Sequence, residues 1–322
     1  MARLTRFALA AFAALAATAA SAQTYPHKAV RVVVAFPPGG ATDIIARIVA
    51  QPLSVRLGQP VVVDNRPGSN GNIAGDLVAK SATDGYTLLL GSDAFFGINP
   101  HLYAKMPMDP HKAFVPIATL VSNQLVLVTN PSLIPATNVP DFVAFAKGAN
   151  PELAYGSIGN GSQHHLAMEM LKQAAGFRMT HVPYKGGAPA ANAVIGGEVA
   201  AMFGGGSVAS LVKAGKMRAL AVTGPKPYSA LPDLPRIGEF YAGYEVTNWQ
   251  GLFAPVGTPE PVLAKLREEV NAALKLPEVR DRLAPLGAGE PFITTLDEFR
   301  DLLRRDFEKY GKVIKDVGVT VD

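Results

Sequence analysis

The chain has 322 residues, no cysteine and a formal net charge of +4 at pH 7. A chain without cysteine has no disulfide bonds and no thiolate metal ligands, so its fold depends on a hydrophobic core. The small charge, with no stripe of basic and aromatic residues, excludes a nucleic-acid surface, and a hydrophobic content of 48% excludes disorder.

The first 22 residues have the pattern of a secretory signal peptide. Arg3 and Arg6 form a basic segment, residues 7–20 are almost wholly apolar, and residues 20–22 read ASA, the form of a signal peptidase site. The apolar run is shorter than the roughly 20 residues that a membrane-spanning helix needs. We therefore expect cleavage before Gln23, which would leave 300 residues with a charge of +2 in the periplasm.

Predicted strands and helices alternate along the rest of the chain, as is typical of βαβ units around mainly parallel sheets. Short β-branched or aliphatic runs predict the strands, and apolar residues at helical spacing predict the helices between them. The predicted strands are 29–36, 61–63, 86–90, 125–128, 153–155, 181–183, 199–203, 219–222 and 246–254.

The last part of the chain returns to the first of two lobes. Thr258 and Pro259 predict the N-cap and first residue of a helix, and an apolar stripe from Phe299 to Ile314 predicts the final helix. We expect the chain to cross between lobes near 122–125 and 247–250. This predicts a first lobe of residues 23–123 plus 248–322, and a second lobe of residues 124–247.

Four junctions run from a strand through a glycine-rich loop into a helix, at 37–42, 156–162, 184–188 and 204–207. In a parallel sheet such loops lie at the carboxyl edge, where open α/β sheets bind ligands. The N–H groups at a helix start carry partial positive charge and bind anions. Several such loops together predict a composite pocket for a small carboxylate.

Charged residues near these loops allow several interpretations. Asp43, in the first turn of its helix, could cap free N–H groups, hold the preceding PPGG loop in shape, or contact a ligand amine or hydroxyl directly. Asp93 is expected near the mouth of the pocket, where it would repel an anion that carries no cationic or hydrogen-donating group. Lys185 and Arg66 are candidate counter-charges for an anion.

Catalytic and cofactor sites are less well supported. His165 and Glu169 have a spacing that can bind a metal, but no convincing third ligand accompanies them. Ser157 and Ser162 lack a GxSxG elbow, and the glycines do not match a GxGxxG fingerprint followed by an acid. We expect no catalytic residue, no metal and no cofactor.

Many segments, in order and spacing, resemble one family. Among them are YPHKAVRVVVAFPPGGATDIIARIVA, LGQPVVVDNRPGSNGNIAGDLVAK, YGSIGNGSQHHLAMEMLKQAAG, HVPYKGGAPA and NWQGLFAPVGTP. They resemble the Bug or TctC-like receptors, the periplasmic solute-binding proteins of tripartite tricarboxylate transporters, over residues 25–322. The resemblance implies an α/β fold of two hinged lobes, the type II or Venus-flytrap form of periplasmic binding proteins, with a mainly parallel sheet in each lobe. It also implies a ligand, usually a carboxylate, in the cleft between the lobes.

The resemblance implies ligand-binding positions in loops on both sides of the cleft, which hold the ligand mainly by hydrogen bonds. The loops at 93–96 and 204–207 depart from the family pattern, so the ligand of a relative does not transfer directly. The candidate positions are Phe36, Pro38, Gly39, Gly40, Asp43, Ser92, Asp93, Ser157, Gly159, Gly161, Ser162, His165, Tyr184, Lys185, Gly186, Phe203 and Gly204.

We therefore expect a monomeric periplasmic receptor that closes around a small organic acid and delivers it to the integral-membrane subunits of a tripartite tricarboxylate-type transporter. Two alternatives stay open at this point. One is a sensor module that presents its ligand to a membrane signalling partner. The other is an exported hydrolase, such as an esterase, which would need a nucleophile such as Ser157 or Ser162.

Overall fold

The computed structural model of the protein describes residues 25–283 and 289–320. The predicted signal peptide, residues 1–22, lies outside these ranges. Among the residues described, no helix is both long and apolar enough to cross a membrane. The strands are β1 (Val30–Val34), β2 (Val61–Asn65), β3 (Thr87–Ser92), β4 (Phe114–Gln124), β5 (Val126–Thr129), β6 (Ala154–Ser157), β7 (Thr180–Pro183), β8 (Ala201–Gly204), β9 (Arg218–Val222), β10 (Thr247–Pro255) and β11 (Glu290–Pro291).

The helices follow the apolar periodicity of the sequence. Helix α6 ends at Gly176, as the sequence predicts, because this glycine adopts the left-handed conformation (φ 66°) that terminates many helices. The helices are α1 (Ala41–Leu57), α2 (Asn72–Ala79), α3 (Asn99–Leu102), α4 (Pro110–Ala113), α5 (Val139–Gly148), α6 (Gln163–Ala175), α7 (Gly187–Gly196), α8 (Val208–Lys213), α9 (Glu260–Leu274), α10 (Pro277–Leu283) and α11 (Leu296–Val317).

The strands form two sheets, and these define two lobes. Lobe 1 contains the six-stranded sheet in the order β11-β4-β10-β3-β1-β2, and lobe 2 contains the five-stranded sheet in the order β7-β6-β8-β5-β9. Helices cover both faces of each sheet: α1, α9 and α10 oppose α2 and α11 in lobe 1, and α5 and α6 oppose α7 and α8 in lobe 2. The predicted two-lobed α/β class is confirmed.

Both sheets are mixed rather than mainly parallel. In lobe 1, β1 is parallel to β2 and β3, whereas β10 is antiparallel to β3 and β4. In lobe 2, β6 is parallel to β7 and β8, whereas β5 is antiparallel to β8 and β9. The connections between the lobes explain this difference. Strands β5 and β10 each enter their sheet from the other lobe, at the edge where β8 and β3 end, so they are antiparallel to those strands.

Two local features differ from the sequence pattern. Helix α9 begins at Glu260 after Pro259, and Thr258 donates its hydroxyl to the carbonyl of Pro255 instead of capping the helix. Strand β4 is not indicated by the sequence because Pro116 interrupts its apolar run. That proline is tolerated since its partner Phe253 lies at a register shift.

Candidate functional site

The carboxyl edges of the two sheets face the same space between the lobes. Gln124 ends β4, and two residues later Val126 pairs with Gly204, the last residue of β8. In lobe 1, Gln250 on the returning strand pairs with Ser92, the last residue of β3. The crossing strands therefore join one carboxyl edge to the other, and the loops after β1, β3, β6, β7 and β8 border an interlobe cleft.

Asp43 holds the loop between β1 and α1. Its Oδ2 accepts hydrogen bonds of 2.9 Å from the backbone N–H of Gly39 and from Nε of Arg47, and its Oδ1 accepts one of 2.9 Å from Nδ2 of Asn65. The hydrogen bond from Arg47 is the main reason that the pKa of Asp43 is lowered to about 2. This geometry favours the interpretation in which Asp43 fixes the loop rather than contacting a ligand.

Helix α1 begins beside this loop without a side-chain cap. Its N-cap is Gly40, which has no side chain to accept a hydrogen bond from the first N–H groups of the helix. Pro38 and Gly39 are exposed in the same loop. Helix α7 begins in the same way after Gly186. Two helices, 17 and 10 residues long, therefore bring uncapped N–H groups to the cleft, and such groups attract anions.

A small cavity of about 10 Å³ lies at the carboxyl edge of lobe 1, with Phe36, Thr42, Asn70 and Ser92 among its walls. It has room for about one water molecule. Asn70 has a left-handed backbone (φ 50°) and donates a hydrogen bond of 2.7 Å to Oδ1 of Asn99. A left-handed asparagine is uncommon and is often found where surrounding contacts hold a functional loop.

The loop after β6 is shaped by two serines. Oγ of Ser157 accepts the N–H of Gly159 at 3.1 Å and lies 2.6 Å from Nε2 of His181. Oγ of Ser162 donates to the carbonyl of Gly159 at 2.7 Å and caps α6 by accepting the N–H of His165 at 3.3 Å. Ser157 is fully buried, whereas Gly159 and Ser162 are partly exposed. The hydroxyls therefore fix the loop, and partly exposed backbone borders the cleft.

Two stacked imidazole rings contact the loop after β6 and hold it in place. The rings of His165 and His181 have centroids 3.8 Å apart and planes within 6°. Nδ1 of His165 accepts the N–H of Gly161 at 3.1 Å, which requires that nitrogen to be unprotonated. Burial lowers the pKa of each of the two histidines to about 4. The pair is therefore neutral at pH 7 and acts as a support rather than as a cationic ligand site.

Asp93 does not stand at the mouth of the cleft, contrary to the expectation from sequence. Its side chain is fully buried, and its Oδ2 accepts a hydrogen bond of 2.6 Å from Nε2 of Gln163 in lobe 2. Burial first, and then the nearby Asp306, raise the pKa of Asp93 well above its usual value. The carboxyl group is enclosed between the lobes because Gln163 lies against it.

Several candidate positions in lobe 2 face the core instead of the cleft. Phe203 is fully buried. The ring of Tyr184 packs on Gly156, where an added Cβ would lie 3.3 Å from the ring. Val208 packs still more closely over Gly204, where an added Cβ would lie 2.3 Å from its side chain. At these positions the backbone, rather than the side chain, lies at the strand ends that border the cleft.

The two candidate counter-charges differ in their surroundings. Nε of Arg66 donates a hydrogen bond of 3.2 Å to Asp64 on its own loop. Lys185 is exposed next to Gly186, at the uncapped start of α7. Lys185 is therefore the better placed of the two to attract an anion.

Larger cavities lie away from the cleft. A cavity of about 790 Å³ lies between α11 and the segment that contains Met106 and Met108 in lobe 1, and one of about 320 Å³ opens behind the crossing strands near Tyr228. The first is lined by Phe114 at the start of β4, which is the strand end opposite the cleft. The cleft is thus defined by its sheet edges and loops rather than by cavity size.

Five buried or loop residues at the cleft were not among the predicted positions. One of them left a signal in the sequence, because Gln250 is an amide inside the predicted strand 246–254, and a buried amide needs polar partners. The others depend on packing that the pattern does not reveal. The five are Thr42, Asn70, Gln163, His181 and Gln250.

Two sheets joined by crossing strands, with glycine-rich loops on both sides of a cleft, define a solute-binding receptor. The model of the tripartite tricarboxylate transporter family receptor matches residues 45–319, and the chain belongs to this family. Members of the family are receptors and not enzymes, and the same holds for this chain.

Relatives cover almost the whole chain. Protein BugT of Bordetella pertussis is 36% identical over 301 residues, which are 92% of each protein. The structure of R. palustris Rpa4515 with adipate is 34% identical, with a TM-score of 0.79, and the match covers 92% of this chain and 100% of that one. MatC from Rhodopseudomonas palustris with bound malate is 30% identical, with a TM-score of 0.73 over 90% of this chain and 100% of that one.

Proposed function

We propose that the protein is a periplasmic receptor that captures a small carboxylate in the interlobe cleft and delivers it to the integral-membrane subunits of a tripartite tricarboxylate transporter. The observation that carries this proposal is the pair of uncapped helix starts, after Gly40 in lobe 1 and after Gly186 in lobe 2. Carboxylate oxygens match the N–H groups at such starts. The adipate and malate in the related structures support the same ligand class.

Capture proceeds by closure of the two lobes around the ligand. The hinge contains the crossing segments at 122–125 and 247–250, which Thr223 fastens together. Its hydroxyl donates to the carbonyl of Val246 at 2.6 Å and accepts the N–H of Leu125 at 2.9 Å. Rotation about these segments would move residues 124–247 as a unit against residues 23–123 and 248–322, so that the loops of both lobes complete the hydrogen bonds of the ligand.

A ligand screen tests capture. The purified protein is unfolded by heat in the presence of mono-, di- and tricarboxylates, amino acids and aromatic acids. An acid present at about 100 times its dissociation constant stabilises a single site by roughly 2.7 kcal/mol, which gives a clear shift of the midpoint. A chain that no carboxylate stabilises, when native mass spectrometry shows it free of copurified ligand, would contradict the proposal.

A pair of glycine variants locates the site. Gly39 and Gly58 stand at opposite ends of α1, both have positive φ, and neither would bring an added Cβ within 4 Å of another residue. Both Gly→Val changes strain the backbone alike. We expect Gly39→Val to weaken carboxylate binding at least about tenfold and Gly58→Val to leave affinity unchanged. Equal affinity in both variants would place the site elsewhere.

Delivery is tested in the cell. A strain of the source bacterium that lacks this chain should lose uptake of the captured acid at micromolar concentrations and regain it with the wild-type chain but not with Gly39→Val. If uptake persists in the strain that lacks the chain, the chain binds the acid but is not needed for its transport, and a signalling role is favoured.

A further inference from the structure

Gln250 carries an unpaired amide oxygen next to the start of α1. The residue is 6% exposed, and its Nε2 donates a hydrogen bond of 3.1 Å to Oγ1 of Thr42, in the first turn of the helix. Its Oε1 has no hydrogen-bond partner in the part of the chain that the structure describes. A buried carbonyl oxygen without a partner is costly, so native structures seldom leave one without a reason.

The position of Gln250 in the sheet directs it to the cleft side of lobe 1. Leu252 and Ala254, on the same strand, pack in the core cluster beneath α1, whereas Trp249 and Phe253 face the opposite cluster. Side chains alternate between faces along a strand, so Gln250 shares the α1 face. It also pairs with Ser92, which lines the small cavity together with Thr42.

We propose that Gln250 is a specificity-determining residue whose amide oxygen accepts a hydrogen bond from the ligand, so that the site selects carboxylates with a hydroxyl or ammonium group on the carbon next to the carboxylate. This assignment rests on the function proposed above and names the ligand class of the same cleft.

Hydrogen-bond donors and one acceptor lie next to each other at the start of α1. The hydroxyl of Thr42 accepts from Gln250, so its own proton is free to donate, and the first N–H groups of α1 also donate. These groups suit carboxylate oxygens. Oε1 of Gln250 can only accept, and an adjacent hydroxyl or ammonium supplies the donor it lacks. An unsubstituted acid would leave that oxygen unpaired.

Matched acids test the assignment in the wild-type protein. Calorimetric titrations compare succinate with malate and aspartate, and adipate with 2-hydroxyadipate and 2-aminoadipate. In the series that fits the cleft, we expect the substituted acids to bind about tenfold or more tightly than the unsubstituted one. Equal or tighter binding of the unsubstituted acid would overturn the assignment, because the group facing the ligand would then be the amide N–H₂. Binding by none of the six acids would contradict the assignment, and the wider screen described above would then show whether the proposed function fails with it.

Two variants separate recognition from a structural role. In Gln250→Met, with exposed Gln173→Met as the matched control, we expect the preference for substituted acids to fall to within about twofold while the unsubstituted acid binds as before. Gln250→Glu keeps the shape and adds a negative charge, so it should favour the 2-amino acid over the 2-hydroxy acid. A uniform loss of affinity for all acids, or an unchanged preference in both variants, would overturn the proposal.

Discussion

Nε2 of Gln163 and Oδ2 of Asp93 lie 2.6 Å apart, and their hydrogen bond joins the start of α6 in lobe 2 to the end of β3 in lobe 1. Nε2 also donates to the carbonyl of Thr247 at 2.7 Å, and Oε1 accepts from Asn248 at 3.0 Å. The amide of Gln163 is therefore satisfied at the hinge, whereas Oδ1 of Asp93 has no partner among the described residues. Burial raises the pKa of Asp93 and so favours the neutral form of its carboxyl group.

The first prediction is that Asp93→Asn stabilises the protein at alkaline pH. The groups around Asp93 include Gln163, Asp306 and Lys309, and burial is the largest cause of its raised pKa. As pH rises above about 4, the carboxyl group of residue 93 loses its proton in the unfolded chain but keeps it in the folded chain. The free energy of unfolding of the wild type therefore falls with rising pH until the raised pKa of the folded state is reached. We expect equal free energies of unfolding at pH 4 and an advantage for the variant of at least about 1.4 kcal/mol at pH 9. Urea unfolding curves with parallel pH profiles would contradict this.

The second prediction concerns the free energy of unfolding at acidic pH. The pKa values of His165 and His181 are lowered to about 4 by burial, with Lys172 and Glu169 also facing the pair. Between pH 6.5 and 4 the unfolded chain binds protons that the folded chain does not, so stability falls with falling pH, by up to about 1.4 kcal/mol per pH unit for each ring. His181→Gln removes one of these protons and should make the decline shallower. Urea titrations at half-unit pH steps measure it, and an unchanged slope would argue against a buried neutral pair.

The third prediction tests Asp43 as the residue that holds the loop. In Asp43→Ala the N–H of Gly39 and the amide of Asn65 lose their shared acceptor, so we expect a loss of about 1–3 kcal/mol in stability and about tenfold or more in carboxylate affinity. The control is Asp76→Ala, which breaks a surface pair of 2.7 Å with Lys80. That change should cost no more than about 0.5 kcal/mol and leave binding intact. Full affinity in Asp43→Ala would show that the loop needs no anchor.

The fourth prediction concerns a close contact between the lobes. Gly161 in the glycine loop of lobe 2 has φ 68°, and an added Cβ would lie 2.5 Å from the side chain of Leu102 in lobe 1. Gly161→Ala should therefore lower stability by about 1–3 kcal/mol. In a double-mutant cycle with Leu102→Ala, the smaller side chain should recover at least about 0.5 kcal/mol of that loss. Additive effects would mean that the loop and Leu102 do not meet.

Much of the fold could be predicted because its signals are local. The change from a β-branched apolar run to helical spacing at the PPGG segment indicates both β1 and α1, and a similar change recurs at the loops after β6, β7 and β8. The order of these elements places the glycine loops at one edge of each sheet. The strand directions could not be predicted in the same way, since they depend on which strands cross between lobes.

The orientation of individual side chains could not be predicted from the sequence. A residue at the end of a strand points to one face or the other, and a shift of one position reverses the choice. Asp93 and Phe203 were therefore expected at the cleft, but their side chains are buried. Gln250 was not among the predicted positions. Its amide reaches Thr42 through the packing of β10 beneath α1, a contact between elements far apart in the sequence.

The most direct test of the account is a calorimetric titration of the ligand-free protein with a panel of mono-, di- and tricarboxylates, repeated with Gly39→Val. We predict that at least one small carboxylate binds with one molecule per chain and that Gly39→Val weakens this binding at least about tenfold without unfolding the protein. Binding that is equally tight in the variant would contradict the position of the site, and the absence of binding by every carboxylate would contradict the central claim.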